Sequence, residues 1–316
     1  MKQISVKETI PQLWHKTRHR GWRWFVTFLL YMLMCGLAFV FLYPFLYMLV
    51  TSLKTNSDLN NFVVQWIPRT LFFKNYSLAA ELMDYSTGLR NSLIITVLAT
   101  IGQLISCSMA GYALARYKVP GGKAMFFIII LALIIPTQTI IIPEYLLYAR
   151  MGWLNTYLPL IVPAFTGYGF KGALYIFIFR QFYLGLPKEL EEAARVDGCG
   201  FIRTFIRIVF PVARSAYIVV LVLAMVWHWS NYYEPSLFLG NTEMQMLSMS
   251  LNNIKATLNL PPEQLDFLYQ INDDNALNNA TLMAGTLMVV IPIFIAFCFL
   301  QRQFIQGVER TGLTGE

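Results

Sequence analysis

The sequence predicts an all-α integral membrane protein with six transmembrane helices and a cytoplasmic helix–turn–helix loop. Hydrophobic residues make up 57% of the 316-residue chain and charged residues only 13%, whereas soluble domains carry roughly a quarter charged residues. The apolar residues are gathered into six runs, each close to the ~20 residues that a helix needs to cross the hydrocarbon core. A bundle of membrane spans is therefore a better interpretation than one soluble core.

The six apolar runs define the predicted spans. In chain order they are Trp24 to Val50, Ser92 to Ala115, Ala124 to Pro143, Tyr157 to Phe179, Ala216 to Tyr232 and Ala280 to Leu300. The fourth run is interrupted by prolines, glycines and Lys171. Irregular backbone at membrane depth is tolerated only against protein or a water-filled cavity. We therefore expect the fourth span to face the interior of the bundle.

The distribution of basic residues predicts the orientation. With the N-terminus inside, 17 Lys and Arg residues lie on the inner side of the membrane and six on the outer side, with Lys171 inside a span. This asymmetry predicts that both termini are cytoplasmic. There is no basic stripe interleaved with aromatic residues, so the net charge of +7 does not predict a nucleic-acid partner. The first apolar run is too long for the core of a signal peptide, so we expect it to stay as a span.

The predicted organisation has four parts. Residues 1–23 form a basic cytoplasmic segment, residues 24–90 the first span with an outer loop, residues 91–308 a five-helix core domain, and residues 309–316 a cytoplasmic tail. The core domain includes an inner loop at residues 187–211. The outer segment at residues 233–279 is long for a connector, so it is expected to be functional or to have structure of its own.

The inner loop has the composition of two short helices joined by a glycine. Pro187 suits a first helical turn, and Glu191 and Arg195 are spaced to pair at i, i+4. Gly198 can end the first helix in the left-handed conformation, and Phe201 and Phe205 lie on one side of the second helix. The loop can dock a partner protein, or it can be an amphipathic connector on the membrane surface.

Specific residues of this loop resemble the signature loop of ABC-importer permeases. That signature reads E-A-A, three residues, G, nine residues, I, one residue, L-P. Here Glu192, Ala193 and Ala194 are followed by Asp197, Gly198 and, nine residues further on, by the stretch from Ile208 to Pro211. Phe210 stands where the family usually has leucine, which is a conservative apolar departure.

Further segments resemble the carbohydrate-uptake branch of that family. They are Thr51 to Lys54 after the first span, Asn91 and Ser92 opening the second, Ala110 to Arg116 closing it, and Gln301 and Arg302 near the end of the chain. The resemblance covers nearly the whole length and is strongest to the shorter permease of maltose-type pairs. The outer loop between spans five and six is longer here than in that pattern, which weakens any transfer of substrate identity.

The resemblance implies a role and a set of partners. It implies a permease subunit of an ATP-driven sugar importer in the bacterial cytoplasmic membrane, with the type I importer fold, that works by alternating access. A second permease would complete a heterodimer, two ABC ATPase subunits would bind the cytoplasmic loops, and an extracytoplasmic binding protein would deliver the sugar, most readily an oligosaccharide. The residues implied to couple to the ATPase are Glu192, Ala193, Ala194, Asp197 and Gly198.

The sequence contains no motif that indicates an enzyme. Gly121, Gly122 and Lys123 come closest to a phosphate-binding loop, but the first glycine is missing and Ala124 replaces Ser or Thr. Three histidines without an HExxH pattern and four cysteines without a CxxC pair indicate no metal site, and we expect no cofactor. The energy for transport must then come from a partner or a gradient.

Five residues are candidates for the substrate path. Lys171 and Glu144 are ionisable groups in or beside spans three and four, where they can form an ion pair or line a polar path. Trp229 and Asn231 close span five with groups suited to sugar rings and hydroxyls, and Gln138 is polar within a span. The alternatives are an interfacial snorkelling lysine, an aromatic belt and interhelical hydrogen bonds.

Other functions compete with this interpretation. A gradient-driven secondary transporter needs coupling-ion groups in its spans and often shows inverted repeats, whereas this sequence has few acidic residues in spans and no visible repeat. A channel is compatible with the composition, but it gives no purpose to the signature loop.

Overall fold

The computed structural model describes residues 9–61, 64, 66–261 and 277–313, and this part of the chain is helical throughout, without strands. The helices are α1 (Thr9–Ser52), α2 (Asn56–Leu59), α3 (Lys74–Leu82), α4 (Tyr85–Arg116), α5 (Gly122–Ala132), α6 (Thr137–Arg150), α7 (Leu158–Ile161), α8 (Gly169–Leu184), α9 (Glu189–Val196), α10 (Phe201–Val212), α11 (Arg214–Ser230), α12 (Tyr233–Phe238), α13 (Leu247–Leu258) and α14 (Asn279–Leu313). Two short 3-10 turns lie at Pro163–Thr166 and Thr242–Met244.

Four stretches among the described residues are long and apolar enough to cross a membrane as they stand. They are Trp24–Ser52, Tyr85–Arg116, Leu158–Leu184 and Asn279–Gly307. Two bent pairs, α5 with α6 and α10 with α11, raise the number to six if each pair is one span. An all-α fold with several apolar spans is therefore confirmed within the described residues, and the number of spans is between four and six.

The third predicted span is not one continuous helix. α5 ends at Ala132, α6 begins at Thr137, and their axes differ by 100°. Pro136 lies in the break; it has no N–H to give to a helix and disfavours the helical conformation of the residue before it. The prediction of a single run from Ala124 to Pro143 is wrong on this point, because hydropathy does not register a change of helix direction.

Helix α8 lies in the interior of the bundle, as its irregular start led us to expect. It packs against α4, α5 and α11. The backbone before it turns at Gly167 (φ +66°), and a Cβ on Gly172 would lie 2.0 Å from the carbonyl oxygen of Gly167. Only glycines therefore allow this close backbone approach at the start of α8.

Helices α4 and α8 pack closely against each other in the core. A Cβ on Gly111 would lie 2.8 Å from the Cβ of Phe179 and 3.0 Å from the backbone nitrogen of Arg180. Around this contact lies a fully buried aromatic group, which consists of Tyr112, Tyr175, Phe179 and Tyr183. Small residues at a helix–helix contact let the backbones approach, which is how membrane helices gain packing energy.

Helix α1 lies on the outside and contacts α14. The residues just after it fold back onto α3. The Asn75 side chain donates hydrogen bonds to the carbonyl oxygens of Ser52 (2.8 Å) and Lys54 (2.9 Å), and the Lys54 ammonium donates to the carbonyl of Val64 (2.9 Å). The Asn75 side chain therefore satisfies carbonyl groups at and just after the end of α1, and the bond from Lys54 to Val64 holds the chain that follows.

Candidate functional site

Two regions of the molecule bring together most of the predicted site residues: the loop α9–α10 and a polar cavity. The loop joins the C-terminal end of α8 to the start of α11, and the cavity lies at the opposite ends of the same two helices. The two regions are therefore connected by continuous helices.

The turn between α9 and α10 depends on Gly198. Its φ is +73°, and its N–H donates to the carbonyl of Arg195 (3.0 Å) while the N–H of Cys199 donates to the carbonyl of Ala194 (2.9 Å). These bonds satisfy carbonyl groups at the end of α9. The predicted left-handed glycine is confirmed, and any Cβ at this position would strain the backbone.

The predicted coupling residues divide between two faces of α9. Glu192, Ala193, Asp197 and Gly198 are exposed, while Ala194 is buried against the bundle. Val196 lies on the exposed side and is 88% exposed, although it is apolar. Sequence reasoning missed Val196, because an apolar residue in a short helix looks like a core residue until its direction is known.

The partner of Glu191 is not the one that its spacing predicts. An i, i+4 pair with Arg195 was expected, but Glu191 is buried and its carboxylate lies 2.9 Å from the Nε of Arg116, at the end of α4. The Arg195 guanidinium lies over the Tyr117 ring instead, 5.9 Å from its centroid. A buried carboxylate needs a close counter-charge, whereas an exposed helix pair gains only about 0.3–0.5 kcal/mol.

The cavity has a volume of about 230 Å³ and is lined by residues from α4, α6, α8, α11 and α12. Its polar and aromatic lining includes Gln103, Thr137, Gln138, Glu144, Tyr168, Lys171, Trp227, His228, Asn231 and Glu234. Four of the five predicted path residues, Gln138, Glu144, Lys171 and Asn231, therefore come together here. The bend between α5 and α6 contributes to this arrangement, because it brings Thr137, Gln138 and Glu144 to one wall.

A charged network crosses the cavity wall. The Lys171 ammonium lies 3.2 Å from a carboxylate oxygen of Glu234, and the Asn231 side chain donates to the same oxygen at 2.7 Å. Lys171 also lies 5.7 Å from the centroid of the Trp227 ring. An ion pair between Lys171 and Glu144 was one of the possibilities that the sequence left open. Lys171 pairs instead with Glu234, which the sequence pattern placed beyond the span in an outer loop. The sequence signal for this role of Glu234 was its spacing, since it lies three residues after the candidate path residue Asn231 and can bond to it.

One wall of the cavity contains a hydrogen bond between two helices. His228 Nε2 on α11 lies 2.9 Å from Gln103 Oε1 on α4, and both side chains are buried. Amides, an imidazole, carboxylates and a tryptophan ring together suit a ligand with many hydroxyl groups and apolar ring faces.

Trp229 does not line the cavity. Its indole N–H donates to the carbonyl of Val289 on α14 (3.0 Å), and its side chain is 4% exposed. Residues two apart do not face the same side of a helix, so Trp227 faces the cavity and Trp229 faces α14. The structure therefore separates Trp229 from the other four predicted path residues.

The family of binding-protein-dependent transport system inner membrane components matches residues 102–310, about two thirds of the chain. The chain belongs to this family, the integral membrane permeases of ABC transporters. The E-A-A motif, here Glu192, Ala193 and Ala194, is a feature of this family.

Two relatives show how the chain sits within that family. The arabinooligosaccharide transport permease AraQ of Halalkalibacterium halodurans is 32% identical over 282 residues, which cover 88% of this chain and 93% of the relative. The melibiose/raffinose/stachyose import permease MelC of Bacillus subtilis is 30% identical and covers 86% and 91% respectively.

A solved structure agrees on the fold. A chain of a bacterial ABC transporter that imports the acidic polysaccharide alginate superimposes with a TM-score of 0.75 at 21% identity, over 96% of this chain and 100% of the other.

Proposed function

We propose that this chain is one of the two permease subunits of an ATP-driven importer for a neutral oligosaccharide. The observation that supports it most directly is the loop: a rigid glycine turn presents Glu192, Ala193 and Asp197 together with the apolar Val196 to the outside. Small and apolar residues on an exposed face allow a partner to approach closely, and the carboxylates give it register. The partner is an ABC ATPase, with one copy beneath each permease.

The orientation in this proposal follows from charge. Both termini and the loop at residues 187–211 are cytoplasmic because 17 Lys and Arg residues lie on that side against six on the other. Each bent helix pair counts as one span, which makes six. The first span then lies at the edge of the five-helix core of residues 91–308, against α14. The segment at 233–279, of which residues 262–276 lie outside the described part of the chain, is proposed to face an extracytoplasmic binding protein.

The cavity is this subunit's share of the substrate path. Gln138, Asn231 and Glu144 offer acceptors and donors to hydroxyl groups, and the Trp227 ring offers a face to a pyranose or furanose. The named substrates of the relatives, arabinooligosaccharides in one case and melibiose, raffinose and stachyose in another, support an oligosaccharide.

Transport proceeds by alternating access. Closure of the ATPase dimer on ATP moves the loop, the loop moves α8 and α11, and the cavity at their far ends changes the side to which it opens. This is a population shift between two packings of the same helices, driven by the difference in ATPase contacts. Hydrolysis resets the first state.

Purification of the chain in mild detergent tests the proposal, since an ABC ATPase and a second permease should co-purify. Gly198→Val should lose the ATPase, because a left-handed β-branched residue is strongly disfavoured. Gly121→Val is the matched control: Gly121 also has a positive φ (+70°) with open space around it, but it lies between α4 and α5. Recovery of the natural chain without an ATPase would make a gradient-driven transporter the leading account.

A further inference from the structure

The loop α9–α10 packs on the last turn of α4. The Arg116 guanidinium forms an ion pair with Glu191 on α9, with 2.9 Å between Nε and the carboxylate, and donates a hydrogen bond to the carbonyl oxygen of Leu186, just before that helix. The two charged side chains are only 4% and 9% exposed. Arg116 therefore holds the entrance of the loop and its first helix at once.

The second helix of the loop rests on the same turn through aromatic rings. The Tyr117 ring lies 5.0 Å from that of Phe201, and the Tyr112 ring lies 5.2 Å from that of Phe205. Tyr112 also contacts Tyr183 near the end of α8, with 5.4 Å between ring centroids. These contacts are apolar and tolerate sliding, whereas the ion pair at Arg116 requires one register.

Helix α4 runs without a break from this contact with the loop to the cavity. Gln103, which bonds His228 in the cavity wall, lies 13 residues before Arg116 on the same helix, about 20 Å at 1.5 Å per residue. The close contact at Gly111 fastens α4 to α8 between these two points. A displacement of the loop that is passed to Arg116 therefore reaches the cavity through rigid elements.

We propose that Arg116 is a positioning residue for energy coupling: its buried pair with Glu191 transmits movement of the loop to α4 and hence to the cavity. This inference rests on the proposed function, since it needs an ATPase below the loop. It gives a physical role to the end of the segment from Ala110 to Arg116, in which Gly111 fastens the helices, Tyr112 supports α10 and Arg116 holds α9.

The test measures how fast a cysteine introduced into the cavity wall reacts with a thiol reagent. In a background with the four native cysteines replaced by alanine, Thr137→Cys provides a thiol in the cavity wall of the purified complex with its ATPase. Its rate of labelling by a hydrophilic maleimide, with and without MgATP, reports coupling without knowledge of the sugar. Arg116→Gln should keep the ATPase bound and hydrolysing ATP, yet lose the MgATP-dependent change in labelling.

Two further variants separate positioning from stability. Arg90→Gln removes an exposed arginine from the other end of the same helix, α4, outside the loop, and should keep the full MgATP response. The exchange Arg116→Glu with Glu191→Arg restores the ion pair but not the bond to Leu186, so it should recover the response in part. A variant that is merely less stable would lower the yield of complex without separating hydrolysis from labelling.

A normal MgATP response in Arg116→Gln overturns the inference while the proposed function stands. If Arg116→Gln loses the ATPase altogether, the exchange variant decides: recovery of the response supports a positioning pair, and no recovery overturns it. Failure of the proposed function is recognised by a different result: no ABC ATPase co-purifies with the natural chain.

Discussion

Residues that are close in the sequence of this protein make different contacts. Lys171 and Glu234 form the ion pair of the cavity wall, and a largely buried charge is costly without a counter-charge. Trp227 and Trp229 are two residues apart, yet one lines the cavity and the other bonds the backbone of α14. At this scale a residue's role is decided by the direction of its side chain.

Removal of one partner of the cavity ion pair should destabilise the fold. Lys171→Met leaves Glu234 without its counter-charge, and we expect a loss of about 1–3 kcal/mol, since Glu234 retains partial solvent contact. The double variant Lys171→Met with Glu234→Gln should recover most of it. Thermal unfolding in detergent measures the effect, and equal melting temperatures for the single and double variants would contradict this account of the pair.

The two tryptophans provide a matched pair of variants. Trp229→Ala should destabilise the bundle by roughly 3–5 kcal/mol, because it removes a buried ring and leaves the Val289 carbonyl without its donor. Trp227→Ala should leave the melting temperature nearly unchanged and raise the KM for uptake. The opposite assignment, with uptake affinity sensitive to Trp229 alone, would place the path on the other side of α11.

Among the elements, the contact between α4 and α8 organises the core, and it could not be located from sequence. Periodicity predicts which residues lie in a span but not which spans touch, and Gly111 is one of 19 glycines. The break at Pro136 was missed as well, because the run from Ala124 to Pro143 was predicted from average hydropathy, although Pro136 and the polar residues 137–139 stand inside it. What the sequence did predict at this scale is the glycine turn at Gly198, since that geometry is decided by backbone sterics within the loop itself.

A side chain at Gly111 should separate α4 from α8. Gly111→Val would place its Cβ 2.8 Å from Phe179, and neither backbone can move far without opening the aromatic core. We expect a fall in thermal stability and loss of uptake. Gly36→Val is the control, because Gly36 lies in α1 with nothing within 4 Å of its missing Cβ. Equal stability of the two variants would show that the close contact is not required.

At the scale of the whole molecule, composition and the signature loop predicted the class of protein, and the family match confirms it. Four of the five candidate path residues line one cavity, but the partner of Lys171 is Glu234, which was not among the candidates. Pairing depends on how α12 folds back after span five, which is a tertiary feature. Positions that need one residue type locally were therefore predictable, and positions that depend on a distant element were not.

Topology is testable by selective labelling in intact cells. We expect cysteines introduced near residue 310 and at residue 121 to be protected from a membrane-impermeant maleimide, because the basic residues hold both segments inside. A cysteine introduced at residue 74 should react, since α3 lies beyond the first span. Labelling at residues 121 and 310 without permeabilisation would reverse the orientation.

The most direct test of the central claim, that this chain belongs to an ATP-driven importer of oligosaccharides, is the energy source of uptake. Cells expressing the chain with its partners are given radiolabelled arabino- and galacto-oligosaccharides, and uptake is compared after collapse of the proton gradient and after depletion of ATP. The account predicts that uptake persists without the gradient and stops without ATP. Uptake that stops with the gradient while ATP remains high would contradict it.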